Sequence, residues 1–209
     1  MPELERGPST RGRHAPTLPL MPVPYASGRT IHDADAHIME TPTWLRDHAD
    51  PGVRDRIEPL AYTSGNELRQ TGDPDEQLRD LAAAFDRLRE RHGSEEYRAV
   101  EAEEIMARKN FAATGSWIPE DRPRALDLLG FSSQLVFNTF HNGRLHDWEH
   151  GDDAELAVGA ARAHNRGMVE FCSVDDRLLP TCYVPLFDLE RAPALATEAL
   201  ELGAAALLV

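Results

Sequence analysis

Cysteine is scarce in this chain, with Cys172 and Cys182 the only two among 209 residues. Nine residues separate them and no histidine stands at zinc-finger spacing, so the pair argues against a disulfide scaffold or a zinc finger and is expected to be two buried, reduced thiols. Long apolar runs are missing as well. No stretch approaches the roughly 20 apolar residues of a membrane-spanning helix, and the N-terminus lacks the charged start and apolar centre of a signal peptide, so a cytoplasmic protein is expected. Positive charge is sparse too: 22 Lys and Arg face 36 Asp and Glu, for a net charge of -14 and a pI near 5.0. That balance removes an electrostatic grip on nucleic acid or on anionic lipid. Neither G-x-G-x-x-G nor a Walker A pattern occurs, which weakens nucleotide binding. The expected partner is a small-molecule substrate.

What is present is enough apolar material for a real core, at 41% hydrophobic residues. Residues 1–28 are rich in proline and free of apolar periodicity, and read as a flexible arm. Residues 29–42 read as a first strand followed by a turn. Residues 43–120 are charged and mostly helical. Asp73, Pro74 and Glu76 form a capping-box start, Leu78, Leu81, Ala82, Phe85 and Leu88 follow at helical spacing, and Gly93 suits the end. Ser94 opens a second helix running towards Lys109, whose many charges suggest a solvated face.

The last third alternates. Pro123 to Leu129 is a short helix closed by Gly130, and 131–140 a strand. Residues 154–171 make a helix and 177–187 a strand. A helix capped by Asp188 and ended by Gly203 leads into "AAALLV". Apolar strands alternating with helices predict an α/β fold with about four parallel strands. A complete (β/α)8 barrel takes about 250 residues, so the expectation is the N-terminal half of such a TIM-type barrel over 29–209, with 43–120 inserted after the first strand.

The stretch "TIHDADAHIMETPTWL" (30–45) carries the chemistry. On a regular strand Asp33, Asp35 and His37 share one face, and His32, Ala34, Ala36 and Ile38 the other. Near the C-terminal end of a first barrel strand, Asp35 and His37 would be placed to share one divalent cation. A carboxylate oxygen with an imidazole nitrogen suits zinc first, and also manganese or iron. A lone Asp-x-His pair also occurs for ordinary reasons, such as tidying a turn.

"HDADAHIMETPTWL", "RPRALDLLGFSSQLVFNTF" and the run from "AARAHNRGMVEF" to "LGAAALLV" resemble the amidohydrolase-related metal-dependent hydrolases, a group that includes the aminocarboxymuconate-semialdehyde-type decarboxylases. The resemblance spans residues 30–42 and 121–209. It implies a mononuclear metal at the C-terminal mouth of the barrel, with Asp35 and His37 as the first-strand ligands. It also implies a later histidine ligand and a catalytic aspartate beyond Val209, so that this chain alone would be inactive. The full-length parent is expected to be a homo-oligomer that hydrolyses an amide, ester or lactone, or alternatively decarboxylates a small carboxylic acid. Many members carry His or Glu where Asp35 stands.

Three further residues are candidates for touching substrate. His141 and Arg144 follow the second strand, on the active-site side of a barrel, and Trp44 follows the first. The bland reading of "HNGRLHDWEH" is a polar loop, and of Trp44 a cover over the core. His164, Asn165 and Tyr183 read as packing and helix-to-loop ties. A reading from another class makes the chain a non-catalytic remnant or interaction piece.

Overall fold

A computed structural model describes residues 23–60 and 74–209. Four strands run parallel in the order β1-β2-β3-β4: β1 (His32–His37), β2 (Ser133–Phe137), β3 (Leu178–Tyr183) and β4 (Ala206–Leu208). Parallel neighbours require a crossover, and every crossover here is helical. Between β1 and β2 lie α1 (Trp44–Asp47), α2 (Pro51–Arg54), α3 (Pro74–Gly93), α4 (Glu95–Glu104) and α5 (Arg122–Leu129). Then α6 (His141–Glu149) and α7 (Ala154–Cys172) lead to β3, and α8 (Ala192–Leu202) leads to β4. The α/β class, the four parallel strands and their sequential order agree with the sequence.

Local signals explain most boundaries. Ser94 accepts the Tyr97 N–H to cap α4, and Asp153 accepts that of Leu156 to cap α7. Gly130 closes α5 in the left-handed conformation, φ 74°. Asp188 takes the Glu190 and Arg191 N–H groups in the turn before α8, whose cap position falls to Arg191. The proposed cap Asp73 lies outside the described residues, as does most of the N-terminal arm. The end of that arm is tied down: Tyr25 and Ala26 donate backbone hydrogen bonds to Leu128 and Leu129 at the close of α5.

The main core lies between one face of the sheet and the helices, where Ile38, Leu126, Val136, Met168, Phe171 and Leu178 pack together. Close approach of α1 and α2 to α7 depends on two glycines. A Cβ on Gly167 would stand 2.4 Å from the Trp44 ring, and one on Gly159 would stand 2.5 Å from Val53. Cys172 and Cys182 are both buried and unpaired, as expected, and burial pushes both thiols up to about 12.

The charged face of α4 differs from expectation. Glu101 is fully buried, accepting from the Thr114 hydroxyl at 2.8 Å and pairing with Arg98 and Arg124. A carboxylate survives there because cations and a hydroxyl saturate its oxygens. The stretch 141–150, read as a loop, is helical from its first residue.

Candidate functional site

The C-terminal end of β1 departs from strict alternation. Asp33 stands beside Gln134 and Ala36 beside Val136, so three steps on β1 match two on β2. This is a β-bulge, and it turns the polar stripe over. Gln134 and Val136 are buried under the helices, so Asp33 lies on the helix-packed face. There its Oδ2 accepts from Gln134 Nε2 at 3.0 Å, and its Oδ1 accepts the Asp35 N–H at 3.0 Å. Gln134 in turn accepts from Arg122 Nε at 2.8 Å, and Arg122 also donates to the carbonyls of His37 and Gly115. The expected single face of Asp33, Asp35 and His37 is therefore corrected: Asp33 is half-buried and tied to the buried Gln134 and Arg122.

His37 sits on the opposite, open face, stacked on Phe137 with ring centroids 5.7 Å apart. Its Nδ1 lies 2.7 Å from the Asn138 carbonyl and 3.3 Å from Thr139 Oγ1. The Thr139 hydroxyl spends its one proton on the Ile38 carbonyl at 2.6 Å, so both neighbours of Nδ1 can only accept. The proton is thereby placed on Nδ1. Nε2 then points its lone pair at Asp35 Oδ1, 3.2 Å away. Two acceptors at that distance need a positive charge between them, either a second imidazole proton or a metal cation. Donors at the usual tetrahedral zinc distances lie roughly 3.4 Å from each other, so the pair fits two positions of such a site. Asp35 is 89% exposed and His37 38%, so a solute can reach both. Among the described residues, no group of three or more His, Cys, Asp or Glu side chains is gathered around a point.

A cavity of about 660 Å³ opens beside β1. Asp35 and His37 line it together with Arg108, Lys109 and Asn110 from the segment after α4, and with Arg122 at the start of α5.

The three residues expected to touch substrate lie elsewhere. His141 is buried at the N-terminus of α6, its Nδ1 3.2 Å from Glu40 Oε1. Trp44 packs in the core among His48, His141 and His164. Arg144 donates to the Glu58 and Pro59 carbonyls and lies over the Trp148 ring. None of them lines the cavity beside Asp35 and His37. For His141 and Arg144 helix α6 is the physical reason, because it starts at residue 141 in place of an open loop, while Trp44 on α1 is packed against Gly167 and His164 of α7. Asn165 and Tyr183 do form a tie: the Asn165 amide accepts from Tyr183 N and donates to its carbonyl.

Sequence reasoning missed Glu40. Fully buried, it accepts backbone N–H groups of Thr139, Phe140 and His141 at 3.0 to 3.2 Å, where the N-terminus of α6 favours negative charge. Burial pushes this carboxyl up, but its hydrogen bonds to His141 and to the backbone outweigh that and hold it below the ordinary carboxylate value. Glu40 thus clamps the segment after β1 to the segment after β2, the same segment whose Asn138 carbonyl orients His37. Nothing in the sequence marks it, since a lone glutamate after a strand is ordinarily solvated.

No protein-family model matches this chain, and no curated protein matches it. Among the described residues, no helix is long and apolar enough to cross a membrane.

Proposed function

We propose that the chain carries the first-strand half of a mononuclear metal site in a metal-dependent hydrolase of the amidohydrolase-related type, on a barrel to which these four strands contribute half. One observation carries the reading: His37 Nδ1 lies 2.7 Å from the Asn138 carbonyl, and its Nε2 faces the Asp35 carboxylate at 3.2 Å. Ligating histidines are oriented in this way, the other ring N–H donating to a backbone carbonyl or a carboxylate. The position agrees, because His37 ends β1, and barrel sites form at the C-terminal ends of strands.

Asp35 and His37 would hold a divalent cation, zinc first, with water, substrate or other protein groups taking the remaining positions. When bound, the cation would supply Lewis acidity, lowering the pKa of water or polarising a substrate carbonyl. The chain's own groups orient and enclose: Asn138 and Thr139 fix the His37 ring, and Glu40 fixes the loop that carries them. Decarboxylation of a small acid would use the same pair.

The test is zinc titration by calorimetry against His37→Ala and Asp35→Ala, in a background lacking His146 and His150. Those two rings lie 4.2 Å apart and would compete for metal. Loss of affinity by roughly 100-fold in both variants supports the reading, since even outer-shell changes cost 10- to 100-fold. Zinc binding unchanged by both overturns it. Assays for hydrolysis of lactones, esters and amides, against release of carbon dioxide from carboxylic acids, then separate the two activities.

A further inference from the structure

Lys109 is the only lysine of the chain, beside 21 arginines. It lines the cavity that holds Asp35 and His37. Its backbone is extended, and the next residue, Asn110, turns the chain with φ 52°, a left-handed conformation uncommon outside glycine. The turn is anchored on both sides. The Ser116 hydroxyl bonds to the Asn110 and Ala113 carbonyls, the Ser116 carbonyl accepts the Met39 N–H at 2.7 Å, and Arg122 grips the Gly115 carbonyl at 3.0 Å. The segment from α4 to α5 is thereby pinned to the end of β1 and forms a wall of the cavity.

The other two cations of the cavity hold protein partners, although the buried Nη1 of Arg108 has none among the described residues. Arg108 donates to Glu104 and to the Tyr97 carbonyl and lies 3.7 Å from the Tyr97 ring centroid. Arg122 is buried, with its Nε donating to Gln134 and its Nη1 to the His37 and Gly115 carbonyls. The Lys109 side chain is exposed, and among the described residues its ammonium makes no hydrogen bond or ion pair. A chain of net charge -14 thus places three cations against two carboxylates, Asp33 and Asp35, around one cavity, and Asp33 is already held by Gln134. A compact ammonium on a flexible stem is a point charge suited to a small anionic group.

We propose that the segment between α4 and α5 selects the ligand of this cavity, and that Lys109 binds an anionic substituent of it, a carboxylate or a phosphate. The inference rests on the metal-site reading only in taking that ligand to be the substrate whose other end meets Asp35 and His37.

The single lysine makes the test direct. Reductive methylation with carbon-13 formaldehyde keeps the charge and labels only Lys109 and the terminal amine. Glutarate and glycerol 3-phosphate are titrated into the EDTA-treated chain, with glutaramide as the neutral control, and Lys109→Arg identifies the signal by its loss. A saturable shift of the Lys109 resonance with either anion, absent with glutaramide, is expected, and the anion that gives it identifies the group. Calorimetry on unmethylated protein should show at least tenfold weaker anion binding in Lys109→Gln and near wild-type binding in Lys109→Arg. Equal binding by wild type and Lys109→Gln, or no binding of either anion to the wild type, overturns the inference. Because these titrations contain no zinc, and the zinc titrations of His37→Ala and Asp35→Ala contain no anion ligand, either reading can fail without the other.

Discussion

Asp33 and Asp35, two residues apart on β1, point to different groups, because the bulge between Asp33 and Ala36 leaves Asp33 beside buried Gln134 while Asp35 meets His37 at 3.2 Å. Their substitutions should therefore separate stability from metal binding. Asp33→Ala leaves the Gln134 amide and the Asp35 N–H short of an acceptor and should cost about 1–3 kcal/mol in urea unfolding, with zinc affinity kept. Asp35→Ala, at an exposed side chain, should change stability by no more than about 0.5 kcal/mol and lose zinc. The reverse pattern would remove the division of labour.

The bulge also shows what the sequence made legible. Alternation of apolar strands with capped helices, and the left-handed Gly130, are local signals, and they gave element order and sheet direction. Parity along β1 depends on how it registers with β2, a partner about 100 residues away, so the face of Asp33 could not be read locally. The same holds for Glu40 and Glu101, whose burial is made possible by groups from distant segments: the N-terminus of α6 for one, Thr114 and Arg124 for the other. His37 lies beyond the bulge, where pairing with Phe137 resumes, and Asp35 lies within it. What their i, i+2 spacing did suggest is that the two side chains meet, and they stand 3.2 Å apart.

Gly167 and Gly143 should respond oppositely to alanine. Both lie in helices, where alanine is favoured over glycine by up to about 1 kcal/mol. At Gly143 nothing stands within 4 Å of the new methyl, so Gly143→Ala should stabilise. At Gly167 the methyl meets the rigid Trp44 ring at 2.4 Å, and Gly167→Ala should destabilise by about 1–3 kcal/mol through overpacking. Paired thermal melts check the sign, and stabilisation at both sites would mean that α1 is free to move off α7.

Both thiols should be inert in the folded chain. Burial raises Cys172 and Cys182 to about 12, and the thiolate is the reactive form. Iodoacetamide at pH 8 should modify neither cysteine in buffer and both in urea, as read by intact mass. Rapid native labelling would show that the sheet opens locally around β3 or the end of α7.

His164 should make stability depend on pH. It is wholly buried on α7, and its Nδ1 lies 3.0 Å from Asn165 Oδ1. Burial lowers the imidazole from 6.5 to about 4, outweighing the Asn165 hydrogen bond and the charge of Glu40, which act the other way. As pH falls below 6.5 the unfolded chain protonates this histidine while the folded chain refuses the proton until about pH 4. The contribution is therefore complete above pH 6.5, declines across that window and levels off below it. At 1.36 kcal/mol per pKa unit the decline amounts to roughly 3 kcal/mol. Urea unfolding of wild type and His164→Leu between pH 4 and 7 checks this. The variant should follow a curve shallower by about one proton, and parallel curves would mean that His164 takes up its proton in the folded chain as readily as in the unfolded one.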